Sequence, residues 1–178
     1  MARGGVDRGG RLVDSRDMAS SPMRVAIIGN SGAGKSTLAR SLAVEHGAFH
    51  LDLDPFAWRP GLPPARAPLE EAVGAVQAAL EGHERWVIEG CYADLIEALA
   101  PALTELVFLD LPAERCQAQA ALRPFEPHKY ASEEAQRAAL PQLQGWIAGY
   151  EGRPGPLGRA AHLALFEGFE GARSHRRS

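Results

Sequence analysis

Hydrophobic and polar positions alternate between two rhythms along this chain. Short apolar runs occur at Arg24-Val-Ala-Ile-Ile-Gly29, at Trp86-Val-Ile-Glu-Gly90 and at Glu105-Leu-Val-Phe-Leu-Asp110, and a fourth ends in His50-Leu-Asp-Leu-Asp54. They are too short for helices and rich in β-branched or aromatic residues, so they read as buried strands at 24–29, 48–52, 86–89 and 105–110. Between them the apolar spacing becomes helical. Leu38 and Leu42 stand one turn apart in a helix over 36–46, and Leu69, Val73, Val76 and Leu80 mark one face of another. A short helix follows the third strand to about Ala100, and Pro112 suits the first turn of the helix after the fourth. Ser132, before Glu133 and Glu134, has N-cap chemistry for a later helix with Leu143, Ile147 and Tyr150 on one face. Pro141 kinks that helix or begins another, and residues 157–166 read as helix.

Strands alternating with helices predict an α/β fold, a parallel sheet with helices on both faces. The segments outside this rhythm are distinct in composition. Pro55–Pro68 is proline-rich and expected to be irregular, and Arg123–Ala131 (RPFEPHKYA) breaks the helix before it into a compact loop. Residues 1–22 mix Gly, Arg, Asp and Ser without apolar periodicity and read as a disordered extension, with Met23 an alternative start. Arg173–Ser178 reads as a solvated tail. The length of 178 residues suits one domain over 23–178.

Composition narrows the function. A net charge of −3 gives no global basic field for a nucleic-acid backbone, so direct nucleic-acid binding is not expected. No apolar stretch approaches the ~20 residues of a membrane helix, so no membrane partner is expected. Cys91 and Cys116 form no ligand cluster, and His128 and the other histidines show no metal spacing. A reducing cytoplasm is the expected compartment. Only two of the 19 basic residues, Lys35 and Lys129, are lysines, which singles out both positions.

Gly29-Asn-Ser-Gly-Ala-Gly34-Lys35-Ser36 satisfies the phosphate-binding pattern GxxxxGK[ST], between a predicted strand and a predicted helix. Its glycines let backbone N–H groups turn toward phosphate oxygens where a side chain would collide. The helix adds its positive end, Lys35 supplies a point charge to the β- and γ-phosphates, and the Ser36 hydroxyl suits Mg²⁺. The nucleotide-binding set is Gly29, Asn30, Ser31, Gly32, Ala33, Gly34, Lys35, Ser36 and Thr37, with ATP and Mg²⁺ as the expected ligands. Asn30 is the only asparagine, which excludes the Asn-Lys-x-Asp guanine-reading motif of Ras-like GTPases. The chain is also short for an ATPase core of the AAA type and lacks the Ser-Gly-Gly signature of ABC transporters. His50-Leu-Asp52-Leu-Asp54 follows a strand end, where open α/β sheets bind ligands, and alternation would point both carboxylates one way if the strand persisted.

The order of motifs resembles the adenylate kinase and shikimate kinase superfamily over about residues 23–150. It is most similar to small bacterial proteins described as adenylate-kinase-like or DNA topology modulation proteins, on Ile28–Thr37, Leu51-Asp52, Trp58-Arg59-Pro60-Gly61 and Trp86–Gly90. The resemblance implies a P-loop NTPase fold of three α/β/α layers, a parallel sheet in the order 2-3-1-4 and a small lid over about 123–131. The superfamily's fifth strand lacks a counterpart, because 157–166 reads as helix. By the same resemblance Asp52 is linked to the metal and Asp54 to the acceptor. Glu89 stands where adenylate kinases carry the Asp of Asp-Gly, and it is favoured over Asp110 for a magnesium-bound water; the resemblance puts the stretch Asp110-Leu-Pro112 at a helix cap. Arg123 matches the lid arginine of shikimate kinases and would stabilise the transferring phosphoryl, with Lys129 and Arg115 as helpers. Gln119 replaces an earlier lid arginine, and Cys91-Tyr92-Ala93 replaces the Phe-Pro-Arg that holds an acceptor phosphate. Arg59 and Arg66 remain candidates for an anionic acceptor, and Cys91 reads as a small buried hydrophobe. The expected activity is transfer of a γ-phosphoryl from ATP to a nucleotide or small-molecule acceptor. The alternatives are a nucleotide-dependent switch with little transfer and, from the family description alone, a DNA-associated regulator.

Overall fold

The computed structural model describes residues 22–61, 64–127 and 129–177. The expected extension over 1–22 lies outside these residues except for its last position, as does His128 in the expected lid. The strands are β1 (Arg24–Gly29), β2 (Phe49–Asp52), β3 (Trp58–Arg59), β4 (Ala65–Arg66), β5 (Trp86–Gly90), β6 (Glu105–Leu109) and β7 (Ala172–Arg176). The helices are α1 (Lys35–His46), α2 (Asp54–Ala57), α3 (Leu69–Leu80), α4 (Ala93–Leu99), α5 (Ala113–Ala121), α6 (Glu133–Ala148) and α7 (Arg159–Gly168).

Five strands form one parallel sheet in the order β2-β5-β1-β6-β7. The four strands expected from sequence lie in the expected order, with β1 central. Its alternating residues explain why. Val25 and Ile27 are buried in a core with Ala39, Val107, Cys116 and Ile147, beneath α1, α5 and α6. Ala26 and Ile28 are buried on the opposite face with Val76, Ile88, Leu95 and Phe108, beneath α3, α4 and α7. A strand apolar on both faces is stable only between two helical layers.

The fifth strand corrects one expectation. The segment expected to be a solvated tail is β7, paired in parallel with β6 from Glu105↔Ala172 to Leu109↔Arg176. Its sequence, ARSHR, carries no apolar signal because the strand sits at an edge and is held by the ladder and by side-chain stacking. His175 stacks on Phe108 with ring centroids 5.0 Å apart, and Arg173 lies over Phe166 at 5.6 Å. Residues 157–166 are helical as expected, within α7, so the strand simply comes later.

Three smaller differences follow the same logic. The proline-rich segment folds into one turn of helix, α2, and an antiparallel pair, β3–β4, rather than an irregular loop. α6 runs continuously with Pro141 inside it, so Pro141 begins no new helix. Gln117 and Gln144 exchange side-chain-to-backbone hydrogen bonds of 3.1 and 3.0 Å, which clamp α5 to α6 across that position. In α3 the buried stripe is Ala72, Val76 and Leu80, while Leu69 at the first helical position is exposed. The expected N-cap at Ser132 is observed, its Oγ accepting from Ala135 N at 3.2 Å.

Candidate active site at the carboxyl edge of the sheet

Because the strands are parallel, their carboxyl ends share one edge. β1 ends in the glycine loop, β2 in Asp52 and Asp54, β5 in Glu89 to Tyr92, and β6 in Asp110. The loop is packed tightly enough to explain its glycines. A Cβ on Gly29 would lie 2.4 Å from the Leu109 carbonyl oxygen, and one on Gly32, at φ +81°, would lie 2.2 Å from that of Cys116. Gly34 begins α1 at φ +89° with no side-chain cap, so the positive end of a twelve-residue helix is offered to an anion. Asn30 is buried, and its Nδ2 donates to the Ile147 carbonyl at 3.0 Å, tying the loop to α6.

Lys35 is also buried, and its Nζ donates to the Asn30 carbonyl at 3.0 Å and to Cys91 Sγ at 3.3 Å. Burial alone would lower its pKa, but Cys91, Glu89 and Asp54 outweigh burial and hold it above the ordinary lysine value. Its charge therefore joins the glycine loop to the acids of β2 and β5. Cys91 is half-buried beside Lys35, with Ser31 Oγ 3.9 Å from its sulfur, and so differs from the buried hydrophobe expected. Ser36 is half-buried and Thr37 exposed on the first turn of α1, and Ala33 is buried, its N–H donating to Asn30 O at 3.2 Å.

The two aspartates are brought together differently from the expectation. β2 ends at Asp52 and the chain turns at Leu53, so strand alternation does not align them. Instead Asp52 Oδ1 accepts the Asp54 backbone N–H at 2.9 Å, and Lys129 Nζ lies 3.3 Å from Asp54 Oδ2 and 3.8 Å from Asp52 Oδ2. Pro55 sits in the first turn of α2 and leaves Asp54 facing this cluster. The environments push the two acids apart. Burial, reinforced by the Asp54 charge, raises the Asp52 pKa. Burial would raise that of Asp54 too, but the Lys129 charge, a hydrogen bond from Tyr92 and the Lys35 charge together lower it. Asp52 is paired in register with the buried Glu89, whose Oε1 lies 3.9 Å from His50 Nε2. Burial lowers the His50 pKa, against the pull of Glu89.

Other candidates lie elsewhere. Arg123 Nη1 is 3.6 Å from Glu126, and the side chain lines a cavity of about 240 Å³ with Phe125, Tyr130 and Arg137. Of the two expected lid cations it is Lys129, not Arg123, that reaches the acid pair. Arg115 is exposed on α5, whereas Gln119 approaches the loop, its Oε1 3.9 Å from where a Gly34 Cβ would stand. Arg59 pairs with Glu71, and Arg66 pairs with both oxygens of Asp94 at 2.8 and 3.2 Å while stacking over Tyr92 at 4.8 Å. Both guanidiniums are thus paired with carboxylates, although Arg66 Nη1 is buried without a hydrogen-bond partner among the described residues. Asp110 is not an open acid, and the stretch Asp110-Leu-Pro112 does lead into a helix cap as expected. The cap of α5 is Pro112, and Asp110 receives Arg159 Nε and Nη2 at 2.7 and 2.6 Å and His175 Nε2 at 3.0 Å.

Sequence reasoning passed over two groups. Tyr92 hydroxyl donates to Asp54 Oδ1 at 2.7 Å and accepts from Trp58 Nε1 at 2.7 Å. His162, fully buried, contacts Tyr150 hydroxyl through Nδ1 at 2.6 Å and the Cys91 carbonyl through Nε2 at 2.9 Å. The available signals were aromatic residues just after the Asp pair and just after Glu89-Gly90. No model of a known protein family matches the chain, and a comparison with curated proteins finds no match.

Proposed function

We propose that this chain is an ATP- and Mg²⁺-dependent phosphotransferase of the adenylate kinase and shikimate kinase type, transferring a γ-phosphoryl to a small-molecule or nucleotide acceptor. The observation that carries the reading is geometric: the glycine loop after β1, Asp52 and Asp54 at the end of β2, and Glu89 on β5 share the carboxyl edge of three adjacent parallel strands. Lys35 of that loop reaches across to the end of β5, its Nζ 3.3 Å from Cys91 Sγ.

The parts divide by chemistry. The loop from Gly29 to Ser36, with the amino end of α1, binds polyphosphate through backbone N–H groups, and Lys35 exchanges its carbonyl and sulfur partners for phosphate oxygens. Among the described residues no group of three His, Cys, Asp or Glu side chains gathers to hold a metal. Mg²⁺ bound chiefly to phosphates needs only one or two protein carboxylates and keeps its waters. Ser36, Asp52 and Glu89 are the residues that would hold it. When bound, Mg²⁺ supplies charge neutralisation at the phosphates. Asp54, with 44% of its side-chain surface open, accepts the acceptor's proton. Arg59 and Arg66 pair with Glu71 and Asp94, so an anionic acceptor would share or displace those carboxylates. Arg123 serves the transfer only if its loop moves, because it faces Glu126.

A second reading is a nucleotide-dependent switch, favoured by the bridge from Lys129 to the acid pair, which ties the 123–131 segment to the site. An acceptor screen with ATP and Mg²⁺, read by phosphate transfer, separates the two. Transfer to a defined acceptor is the expected result. ATP binding with no product beyond slow hydrolysis would favour the switch.

A further inference from the structure

Asp54 is a flexible, half-open side chain, and a proton acceptor must be aimed before it is useful. Three features fix it. The first is directional chemistry. Trp58 Nε1 is a donor only, so the Tyr92 oxygen 2.7 Å away must accept from it. The single hydroxyl proton of Tyr92 is therefore left to Asp54 Oδ1, also at 2.7 Å. The second is packing. Tyr92 is 4% exposed, and its ring lies where a Cβ on Gly90 would come within 2.8 Å, so the glycine that ends β5 makes the seat for this ring. The third is the opposite wall. The Arg66 guanidinium covers the Tyr92 ring at 4.8 Å and is itself fixed by Asp94. The ring is thus held on two sides and its hydroxyl has one outlet.

On the phosphotransfer reading above, we infer that Tyr92, locked by Trp58, is a positioning residue that aims the Asp54 carboxylate at the acceptor. In the step it serves, an acceptor oxygen forms a bond to the γ-phosphorus while the bond from that phosphorus to the bridging oxygen breaks. The electron pair leaves with ADP, and the acceptor proton passes to Asp54, from which solvent later removes it. Tyr92 touches none of the reacting atoms and acts only through Asp54. Lys129 holds the other carboxylate oxygen at 3.3 Å, which leaves the remaining lone pairs for the acceptor.

The test is a double-mutant cycle with ATP, Mg²⁺ and water as acceptor, read by phosphate release in the full chain. Tyr92→Phe keeps the ring and removes the hydroxyl, so it should lower kcat about 10-fold with KM for ATP unchanged. Trp58→Phe should lower it less, about 3-fold, by freeing the hydroxyl to turn. A residue acting only through Asp54 has nothing left to do once that acid is gone. Tyr92→Phe/Asp54→Asn should therefore be no slower than Asp54→Asn alone. Additive losses, or a rise in KM for ATP without a fall in kcat, would overturn the positioning role while leaving the transfer reading intact. A wild-type chain that binds ATP and transfers no phosphate to water or to any acceptor in the screen would instead remove the transfer reading on which this role rests.

Discussion

The acids on the two sides of β1 hold equivalent places at the carboxyl edge of one sheet and have opposite surroundings. Asp110, beyond β6, is buried and heavily engaged: Arg159 meets both of its oxygens, His175 adds a third contact, and Arg177 Nε lies 3.8 Å away. These partners join β6 to α7 and β7, the last part of the chain to be added to the sheet. Asp52, Asp54 and Glu89, beyond β2 and β5, form a cluster of three carboxylates with two lysines, one of them from a loop. A buried carboxylate held by a guanidinium and a second cation serves cohesion, and a part-exposed one with fewer partners is left open to a ligand. Position at a strand end does not distinguish them. Partner supply does.

Neutralising an acid on each side should give opposite results. Asp110→Asn leaves Arg159 without its charge partner. Breaking a buried pair costs about 3–5 kcal/mol, and because Arg159 is 28% exposed the expected loss is reduced to about 2–3 kcal/mol. Urea unfolding should show a lower midpoint at unchanged slope. The Asp110 pKa is depressed, because its Arg159 and His175 hydrogen bonds and charges outweigh burial. Its contribution is therefore present above the ordinary aspartate value of about 4 and is lost as pH falls through the lower folded value. A mutant as stable as the wild type at neutral pH would remove Asp110 from the cohesive side.

A second cohesive element sharpens the contrast. His162 bridges Tyr150 and the Cys91 carbonyl, and burial lowers its pKa to about 4. A depressed value gives stability that is complete above the unfolded pKa near 6.5 and is lost as pH falls toward 4. The loss should reach about 2–3 kcal/mol by pH 4.5. His162→Gln should flatten the stability profile between pH 6.5 and 4.5, whatever its effect at neutral pH. A wild-type profile already flat over that range would show that His162 is not buried as a neutral ring.

On the open side the stability effects should be small and the activity effects large. Asp52→Asn and Asp54→Asn remove charge from a crowded acid pair and should each change stability by less than about 1 kcal/mol. Phosphate transfer should nevertheless fall about 100-fold in Asp54→Asn. Asp52→Asn should mainly change the dependence on Mg²⁺, in a titration at fixed ATP. Full activity of both variants at limiting Mg²⁺ would take the pair out of the reaction and leave Glu89 as the metal-linked acid. The smallest effect is expected for Lys129→Met. Its ion pairs are partly exposed, so stability should fall by about 0.5 kcal/mol at most. Hydrogen exchange should quicken at the Lys129 and Tyr130 amides, both of which donate to the Glu126 carbonyl.

The same contrast explains what could be read from the residues alone. β1, β5 and β6 were legible because each is apolar on both faces, and the glycine loop because its spacing is itself the signal. β7 was not legible, since an edge strand held by its ladder and by stacking needs no apolar pattern. The side-by-side placement of Asp52 and Asp54 was expected, but from a continuing strand rather than the turn at Leu53 that produces it. The opposite roles of Asp110 and Glu89 depend on Arg159, His175 and Lys35, which are far from them in sequence. Tyr92 was visible only as a departure from the residues that hold an acceptor phosphate in adenylate kinases. Its hydrogen bond to Asp54 joins residues 38 positions apart, and no local pattern encodes that contact.

On the proposed reading, the glycine loop and Lys35 bind the triphosphate of ATP with Mg²⁺. Isothermal titration of ATP·Mg²⁺ into the wild type and into Lys35→Ala tests it directly, with circular dichroism as the check on folding. Among the described residues Lys35 hydrogen-bonds the loop carbonyl and Cys91, neither of them core, so the variant should fold. Its affinity should fall about 100-fold through loss of the charge on the phosphates. Equal affinity in a folded Lys35→Ala variant, or no binding to the wild type, would contradict the account.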